Sequence, residues 1–327
     1  MVQLPETLNL ADFFLFDRLA EGRGDKTALR FGDRAWTYAD VADRTRRTVR
    51  VLRDLGLRPE ERVYLVLPDV PPFAWAFFGV LKAGGVVTMG NPLSKAAELA
   101  YVIAYVGARI VITTPEVAAG LEAHWQAEPP GHALPAILLA PFAPTTDDPE
   151  APLADPRCFA RAVTKAKPAL DDRPTPRDAP AIWLFTSGST GRPKAAMHCH
   201  RDFAFNTEVY AKATIGYRED DVCVSVPRLF FGYATGTNLM FPFAVGACAA
   251  LFSEKPDAER IAWAVKHYRA TALTNVPTLM ARLLEADEQG LDIDLSSLRW
   301  SLSAGEALPP ALLDRWLARF GVPVFDG

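Results

Sequence analysis

Short apolar runs alternate along the chain with longer amphipathic stretches, and that rhythm predicts most of the elements. Residues 38–55 follow Thr37, carry Asp40 at the third helical position and stop at Gly56, which predicts a capped helix. A strand should follow: 63–67 is apolar throughout, as a strand covered on both faces must be in a parallel sheet. The pattern repeats with a helix over 72–82 stopped by Gly84 and Gly85, a strand over 86–89, a helix over 94–106 stopped by Gly107, and a strand over 109–113. Helices alternating with short apolar strands predict a doubly wound α/β layer.

Residues 141–180 break the rhythm with nine prolines and many acidic residues, leaving 159–165 as the only helix-like piece of a connection. Alternation then resumes. Strands are expected at 181–185, 195–198, 222–226, 247–252, 271–274, 298–301 and 322–325, and helices at 202–214, 256–268, 277–287 and 309–320. The expected organisation is a first α/β subdomain over 1–140, the proline-rich connection over 141–180, and a second α/β subdomain over 181–327. Mixed or parallel sheets should carry helices on both faces.

Composition narrows the class. Of 327 residues, 50% are apolar and 23% charged, which excludes disorder and fibres. Thirty-five basic side chains against thirty-nine acidic ones leave a net charge of -4, so bulk electrostatics recruits neither nucleic acid nor an anionic membrane. The longest apolar run, 239–252, contains Pro242 and Gly246 and is too short for a bilayer, which needs about 20 residues. Cys158, Cys199, Cys223 and Cys248 are widely spaced without a CxxC pair, and no basic-then-apolar signal opens the chain, so a reducing cytoplasm is the expected location. Small molecules become the expected partners.

The chemistry concentrates in Thr186-Ser187-Gly188-Ser189-Thr190-Gly191-Arg192-Pro193-Lys194, directly after a predicted strand. Glycines let backbone N–H groups turn inward around an anion, hydroxyls add donors, and a lysine supplies a mobile positive charge. That composition suits a polyphosphate. A Walker loop would place glycine immediately before the lysine, whereas Pro193 removes that donor, so a different phosphate loop is indicated. A solvated Ser/Gly turn is the bland alternative.

TSGSTGRPK resembles the phosphate-loop signature of the adenylate-forming superfamily of acyl- and aryl-CoA synthetases, peptide-synthetase adenylation domains and firefly luciferase. Other stretches agree in order and spacing. Trp36-Thr37-Tyr38-Ala39-Asp40-Val41 is similar to the family's Leu-Thr-Tyr-x-Glu-Leu element, Leu81-Lys82-Ala83-Gly84-Gly85 with Asn91-Pro92 to its Leu-Lys-Ala-Gly helix end, and Ser303-Ala304-Gly305-Glu306-Ala307-Leu308-Pro309 to its Gly-Gly-Glu-x-Leu-Pro stretch. Such enzymes join a carboxylate to the α-phosphorus of ATP, release pyrophosphate and pass the acyl group to a thiol. Two anions must meet in line, so positioning and charge neutralisation dominate the protein's task. The resemblance implies that Thr186, Ser187, Gly188, Ser189, Thr190, Gly191 and Lys194 hold the phosphates, with Lys194 and Thr186 positioning them for reaction. It also implies that Ser303, Ala304, Gly305, Glu306 and Asp326 line the adenine pocket. Ser303 to Pro309 also reads as the turn that starts the next helix.

The substrate region reads Leu229-Phe230-Phe231-Gly232-Tyr233-Ala234-Thr235-Gly236. Peptide-synthetase domains place an aspartate where Gly232 stands, to pair with an α-ammonium. Without that partner a desolvated ammonium is costly, which disfavours α-amino acids. Aromatic side chains around glycines suggest a flat apolar slot. Together with Phe241-Pro242-Phe243-Ala244-Val245-Gly246-Ala247 and Asn275-Val276-Pro277-Thr278, the wording resembles the benzoate-CoA ligase branch, including aminobenzoate and hydroxybenzoate ligases. The branch implies that Phe231, Gly232, Tyr233 and Gly327 border an aryl group, with ATP, Mg²⁺ and coenzyme A as cosubstrates and cofactor. A carrier-protein thiol in place of CoA, and a lidless domain that binds nucleotide or aryl ligands without catalysis, are the alternatives.

Other signals point away from metals. His198-Cys199-His200 lacks two further ligands nearby, though His198 stands close enough in sequence to the loop to touch a nucleotide. Asp292-x-Asp294 reads as a turn. Past Gly327 the family pattern continues into a metal-binding glutamate, a ribose-binding aspartate, a hinge and a mobile lid with a lysine for the acyl phosphate. These have no counterpart in the sequence, so no metal ligand is assigned. The 327 residues by themselves are expected to adenylate several orders of magnitude slower than an intact ligase, since one positioned cation commonly contributes about 10²-fold or more.

Overall fold

The computed structural model describes residues 2–141, 148–171, 174–186 and 193–327. Thirteen strands fall into two sheets among these residues. The six-stranded sheet is built from β3 (Arg62–Val66), β4 (Val86–Met89), β5 (Ala108–Thr113), β6 (Ala136–Leu139), β7 (Pro180–Thr186) and β8 (Lys194–Cys199), in the order β6-β5-β3-β4-β7-β8. The seven-stranded sheet holds β1 (Thr27–Phe31), β2 (Arg34–Thr37), β9 (Val222–Ser225), β10 (Cys248–Leu251), β11 (Ala272–Asn275), β12 (Trp300–Ser303) and β13 (Val324–Asp326), in the order β13-β12-β11-β9-β10-β1-β2. All pairings are parallel except β1 with β2 and β7 with β8.

The sheets exchange strands across the proline-rich connection. β7 and β8 follow the connection in sequence but complete the sheet of the first half, and the early hairpin of β1 and β2 joins the sheet of the second half. The helix Pro71–Lys82 explains why the layers cohere. Every residue from Pro71 to Leu81 is buried, and the same core cluster includes Leu65 and Val87 of the first sheet and Leu29, Ala249 and Leu251 of the second. This helix is apolar all round because it is sandwiched between two sheets. Outer helices cover the other faces: Ala96–Val106 and Pro115–Ala127 on the first sheet, Ala258–Tyr268 and Pro310–Phe320 on the second. The helix Tyr38–Asp54 has the expected reciprocal cap, with the Asp40 N–H donating to Thr37 Oγ1 at 3.1 Å and the Thr37 N–H to the Asp40 carboxylate at 2.9 Å.

The expected single helix over 202–214 is two segments. An α-helix over His200–Asn206 passes into a π-helix over Thr207–Ile215. Threonines at both ends donate back to the main chain, Thr207 Oγ1 to the Phe203 carbonyl at 2.7 Å and Thr214 Oγ1 to the Val209 carbonyl at 2.9 Å, which competes with regular α-helical pairing. No helix among the described residues is long and apolar enough to cross a membrane.

His200 anchors the N-terminal segment. It is buried, and its Nδ1 accepts the Leu10 N–H at 3.1 Å. Burial lowers its pKa to about 4. The unfolded chain therefore binds a proton at higher pH than the folded one. His200's contribution is complete above the unfolded value of roughly 6.5, and is lost as pH falls toward the folded value, by roughly 2 kcal/mol at pH 5. Urea unfolding at pH 7 and pH 5 should show this loss in the wild type and a smaller one in His200→Gln. An equal loss in both would assign it elsewhere.

Candidate active site

The hairpin predicted to hold the phosphates is closed by a matched pair. In the antiparallel ladder of β7 and β8, Thr186 stands opposite Lys194, with both side chains exposed at the neck of the loop. Ser187, Gly188, Ser189, Thr190 and Gly191 lie outside the described residues, so the structure places the two ends of the predicted cradle and not its bend. The ladder continues inward to Ile182 opposite His198, which makes the neck an extension of the first sheet's edge and gives Lys194 a fixed root.

The predicted adenine residues gather at the carboxyl ends of β11, β12 and β13. Asn275 stands opposite Ser303, Ser303 opposite Asp326, and the Gly327 N–H donates to the Ser303 carbonyl at 2.9 Å. Doubly wound sheets bind ligands at this edge, where loops diverge from the strand ends. Ser303 and Asn275 are fully buried, yet Ser303 Oγ and Asn275 Nδ2 have no hydrogen-bond partner. Buried polar atoms are costly to leave unpaired, and these two fit a polar ligand such as a nucleotide base. Ala304 is buried, and Gly305 takes a left-handed φ of 85°, the conformation glycine tolerates best. Glu306 is tied at 2.7 Å by the Thr278 hydroxyl, which links the loop after β12 to the helix Pro277–Glu288.

Phe231, Gly232 and Tyr233 form a wall with two sides. On one side is a cavity of about 440 Å³ that reaches Phe230, Phe231 and Gly232, the strand ends at Met89 and Phe185, and Pro193 of the phosphate hairpin. The Phe230 and Phe231 rings lie 4.5 Å apart, and Phe231 is 55% exposed. On the other side Tyr233 meets Tyr210 and the charge of Asp326. Its hydroxyl is buried without a partner of hydrogen-bond geometry, and burial, more than these neighbours, raises its pKa. Gly327 belongs to the same corner, since a Cβ there would stand 2.9 Å from Tyr210 Oη. At Gly232 a Cβ would stand 2.5 Å from Leu184 Cδ1, so the close approach of wall and β7 depends on glycine. No charged side chain occupies the Gly232 position, as the sequence requires.

A family profile for AMP-binding enzymes matches residues 16–327. The chain belongs to that family. Its relatives at about 30% identity include aromatic acid–CoA ligases. It is 34% identical to the benzoate–CoA ligase of Thauera aromatica, with all of this chain and 59% of the relative aligned. It is 32% identical to the 4-hydroxybenzoate–CoA/benzoate–CoA ligase of Rhodopseudomonas palustris, with 98% of this chain and 57% of the relative aligned. Among solved structures, the benzoate CoA ligase of Burkholderia xenovorans LB400 superposes with a TM-score of 0.83 at 33% identity, covering 98% of this chain and 60% of that one. The anthranilate CoA ligase AuaEII in complex with anthranoyl-AMP superposes with a TM-score of 0.89 at 29% identity, covering 99% and 60%. The chain thus spans less than two thirds of the length of these AMP-binding relatives.

Sequence reasoning overlooked Tyr210 and Asn275 as site residues. Asn275 was visible as the residue just past the predicted strand over 271–274, at the kind of strand end where ligands collect, and as the first of the Asn275-Val276-Pro277-Thr278 stretch. Tyr210 gave no signal, because the π-helical segment and the fold of Gly327 back onto it are tertiary events. The histidine pair separates: His198 stands beside Asp202, 3.6 Å from Nδ1 to carboxylate, whereas His200 turns into the N-terminal segment. Among the described residues, no three His, Cys, Asp or Glu side chains converge to hold a metal.

Proposed function

We propose that the protein activates an aromatic carboxylic acid, benzoate or a substituted benzoate such as 2-aminobenzoate, with ATP and transfers the acyl group to coenzyme A. The observation that carries this reading is a wall of Phe231, Gly232 and Tyr233, none of them charged, with a cavity that reaches Pro193 of the hairpin on one side and Asp326, in register with Ser303, on the other. At the Gly232 position itself there is no carboxylate for an α-ammonium, and a flat ring meets aromatic side chains and two glycines.

The chemistry follows from placement. A carboxylate oxygen attacks the α-phosphorus of ATP, the bond to the bridging oxygen breaks, and pyrophosphate leaves. Lys194, with Thr186 opposite, draws the β- and γ-phosphates to the hairpin, so the departing charge grows beside an ammonium. Ser303 Oγ and Asn275 Nδ2 gain partners on the base, and Asp326 stands next to them in register. The aryl ring lies against the Phe231–Gly232–Tyr233 wall with Gly327 at its corner, and the cavity reaching Leu184, Phe231 and Gly232 shapes its seat. The thiol then attacks the acyl carbon, AMP leaves with the carboxylate oxygen it received, and the thiol proton is released.

Pyrophosphate release by the protein at its natural length, over ring-substituted benzoates, fatty acids and α-amino acids, tests the substrate class. Thioester analysis with CoA and with a carrier-protein thiol identifies the acceptor. Release with benzoates and formation of aryl-CoA are expected. Preference for fatty or amino acids would overturn the reading of the wall.

A further inference from the structure

Asp69 touches neither face of the wall, yet the wall is built on it. It follows β3 at the carboxyl end of the first sheet and is buried. Its Oδ1 accepts the main-chain N–H of Leu229 at 2.9 Å, and the Arg228 guanidinium stands 3.7 Å from Oδ2. Arg228 is in turn held by the second sheet, donating to the Phe252 carbonyl at 2.8 Å and covering the Phe252 ring at 4.7 Å. Leu229 is also fixed at its carbonyl, which accepts from the Thr235 hydroxyl at 2.6 Å. One residue is therefore gripped at both N–H and C=O. It immediately precedes Phe230 and lies three positions before Gly232.

This grip has a cost that packing does not explain. Removing a carboxylate from water is unfavourable, and here desolvation outweighs Arg228 and the Leu229 N–H together, leaving the carboxyl at about 6. An apolar side chain would fill the sheet junction without that penalty. It could not accept the Leu229 N–H. Neither Asp69 nor Arg228 lines the cavity, so their effect on a ligand must pass through the main chain of residues 229–232.

We propose that Asp69 is a positioning residue for acid binding: its ionised carboxylate, reaching from the first sheet to the Leu229 N–H, sets the height of residues 230–232 beside the cavity. The proposal rests on the reading that this wall receives an aromatic acid. Protonation weakens the grip by removing the charge that Arg228 faces and the stronger acceptor for Leu229. Arg228 is the charged group acting on Asp69 among the described residues. Affinity for the acid should therefore fall as pH drops through about 6, while affinity for ATP should not follow Asp69.

The grip is read first without substrate. In the protein at its natural length, hydrogen exchange at residues 229–232 should accelerate at least about tenfold in Asp69→Ala, and unchanged protection would overturn the proposal. Kinetics come second, with benzoate and ATP varied separately between pH 5.5 and 8. The expected result for Asp69→Ala is a KM for benzoate raised about tenfold or more, with the KM for ATP within about twofold of wild type. A parallel rise of both constants, or none, would contradict it. Should Asp69→Ala not fold, Asp69→Asn decides, because it keeps an acceptor of the same shape: loss of the wild-type rise in benzoate KM at low pH supports the proposal, and an unchanged rise overturns it. Failure of the wild type to activate any aromatic acid would instead sink the functional reading, and the exchange experiment keeps that failure separate.

Discussion

Replacing Lys194 with methionine should lower acid-dependent pyrophosphate release by about 10²-fold or more at saturating substrates, with melting temperature unchanged. Both halves of that expectation come from geometry. Lys194 is exposed at the first position of β8, opposite Thr186, and no ion pair to it exists among the described residues, so truncating it removes charge without breaking packing. What disappears is an ammonium rooted at the neck of the hairpin, where the proposed mechanism brings two anions in line. Lys194→Arg should recover only part of the loss, because a planar fork does not reproduce a point charge on a flexible stem. Paired measurements of release and thermal unfolding check the prediction. Near-wild-type turnover in Lys194→Met would remove the hairpin from the mechanism.

The second large effect is expected at Gly232. A Cβ there would lie 2.5 Å from Leu184 Cδ1, 3.1 Å from Cδ2 and 3.3 Å from Cγ, so even alanine forces Leu184 on β7 to move. Leu184 and Gly232 both line the cavity, and the displacement therefore changes the pocket's shape. Gly232→Ala should raise the KM for benzoate about tenfold, in line with the roughly 1–3 kcal/mol that overpacking costs. Gly232→Val should abolish activation while ATP binding survives. Leu184→Ala combined with Gly232→Ala should recover much of the affinity, since the clash is pairwise. If the double variant is as poor as the sum of the two singles, the contact is not the cause.

These two sites differ in how plainly the sequence announced them. The lysine follows a run of glycines and hydroxyls within one hairpin, so local composition carries the chemistry, and the Thr37–Asp40 cap and the apolar helix Pro71–Lys82 are local in the same sense. The exchange of strands is not local. Nothing in the residues of β7 states that it pairs with β4 and not with β9, because short apolar strands fit either sheet and the choice depends on how the whole chain packs around the central helix. The hairpin of β1 and β2 carried a weak signal in Gly32-Asp33, a turn pair between two short runs, that the helical rhythm masked. Tyr210 and Asp69 belong to the hardest class. Each acts at a residue more than a hundred positions away, Tyr210 at Gly327 and Asp69 at Leu229, and sequence spacing encodes no such meeting.

The proposed function requires that this chain hold a nucleotide and an aromatic acid side by side, the acid's ring against the Phe231–Gly232–Tyr233 wall. Calorimetric titration with a non-reactive benzoyl-adenylate mimic tests it most directly, with AMP and benzoate titrated singly for comparison. The account predicts that the linked molecule binds far more tightly than either part, and that Gly232→Val removes the benefit of the aryl group while leaving AMP affinity in place. Binding of the mimic no tighter than AMP by itself would contradict it.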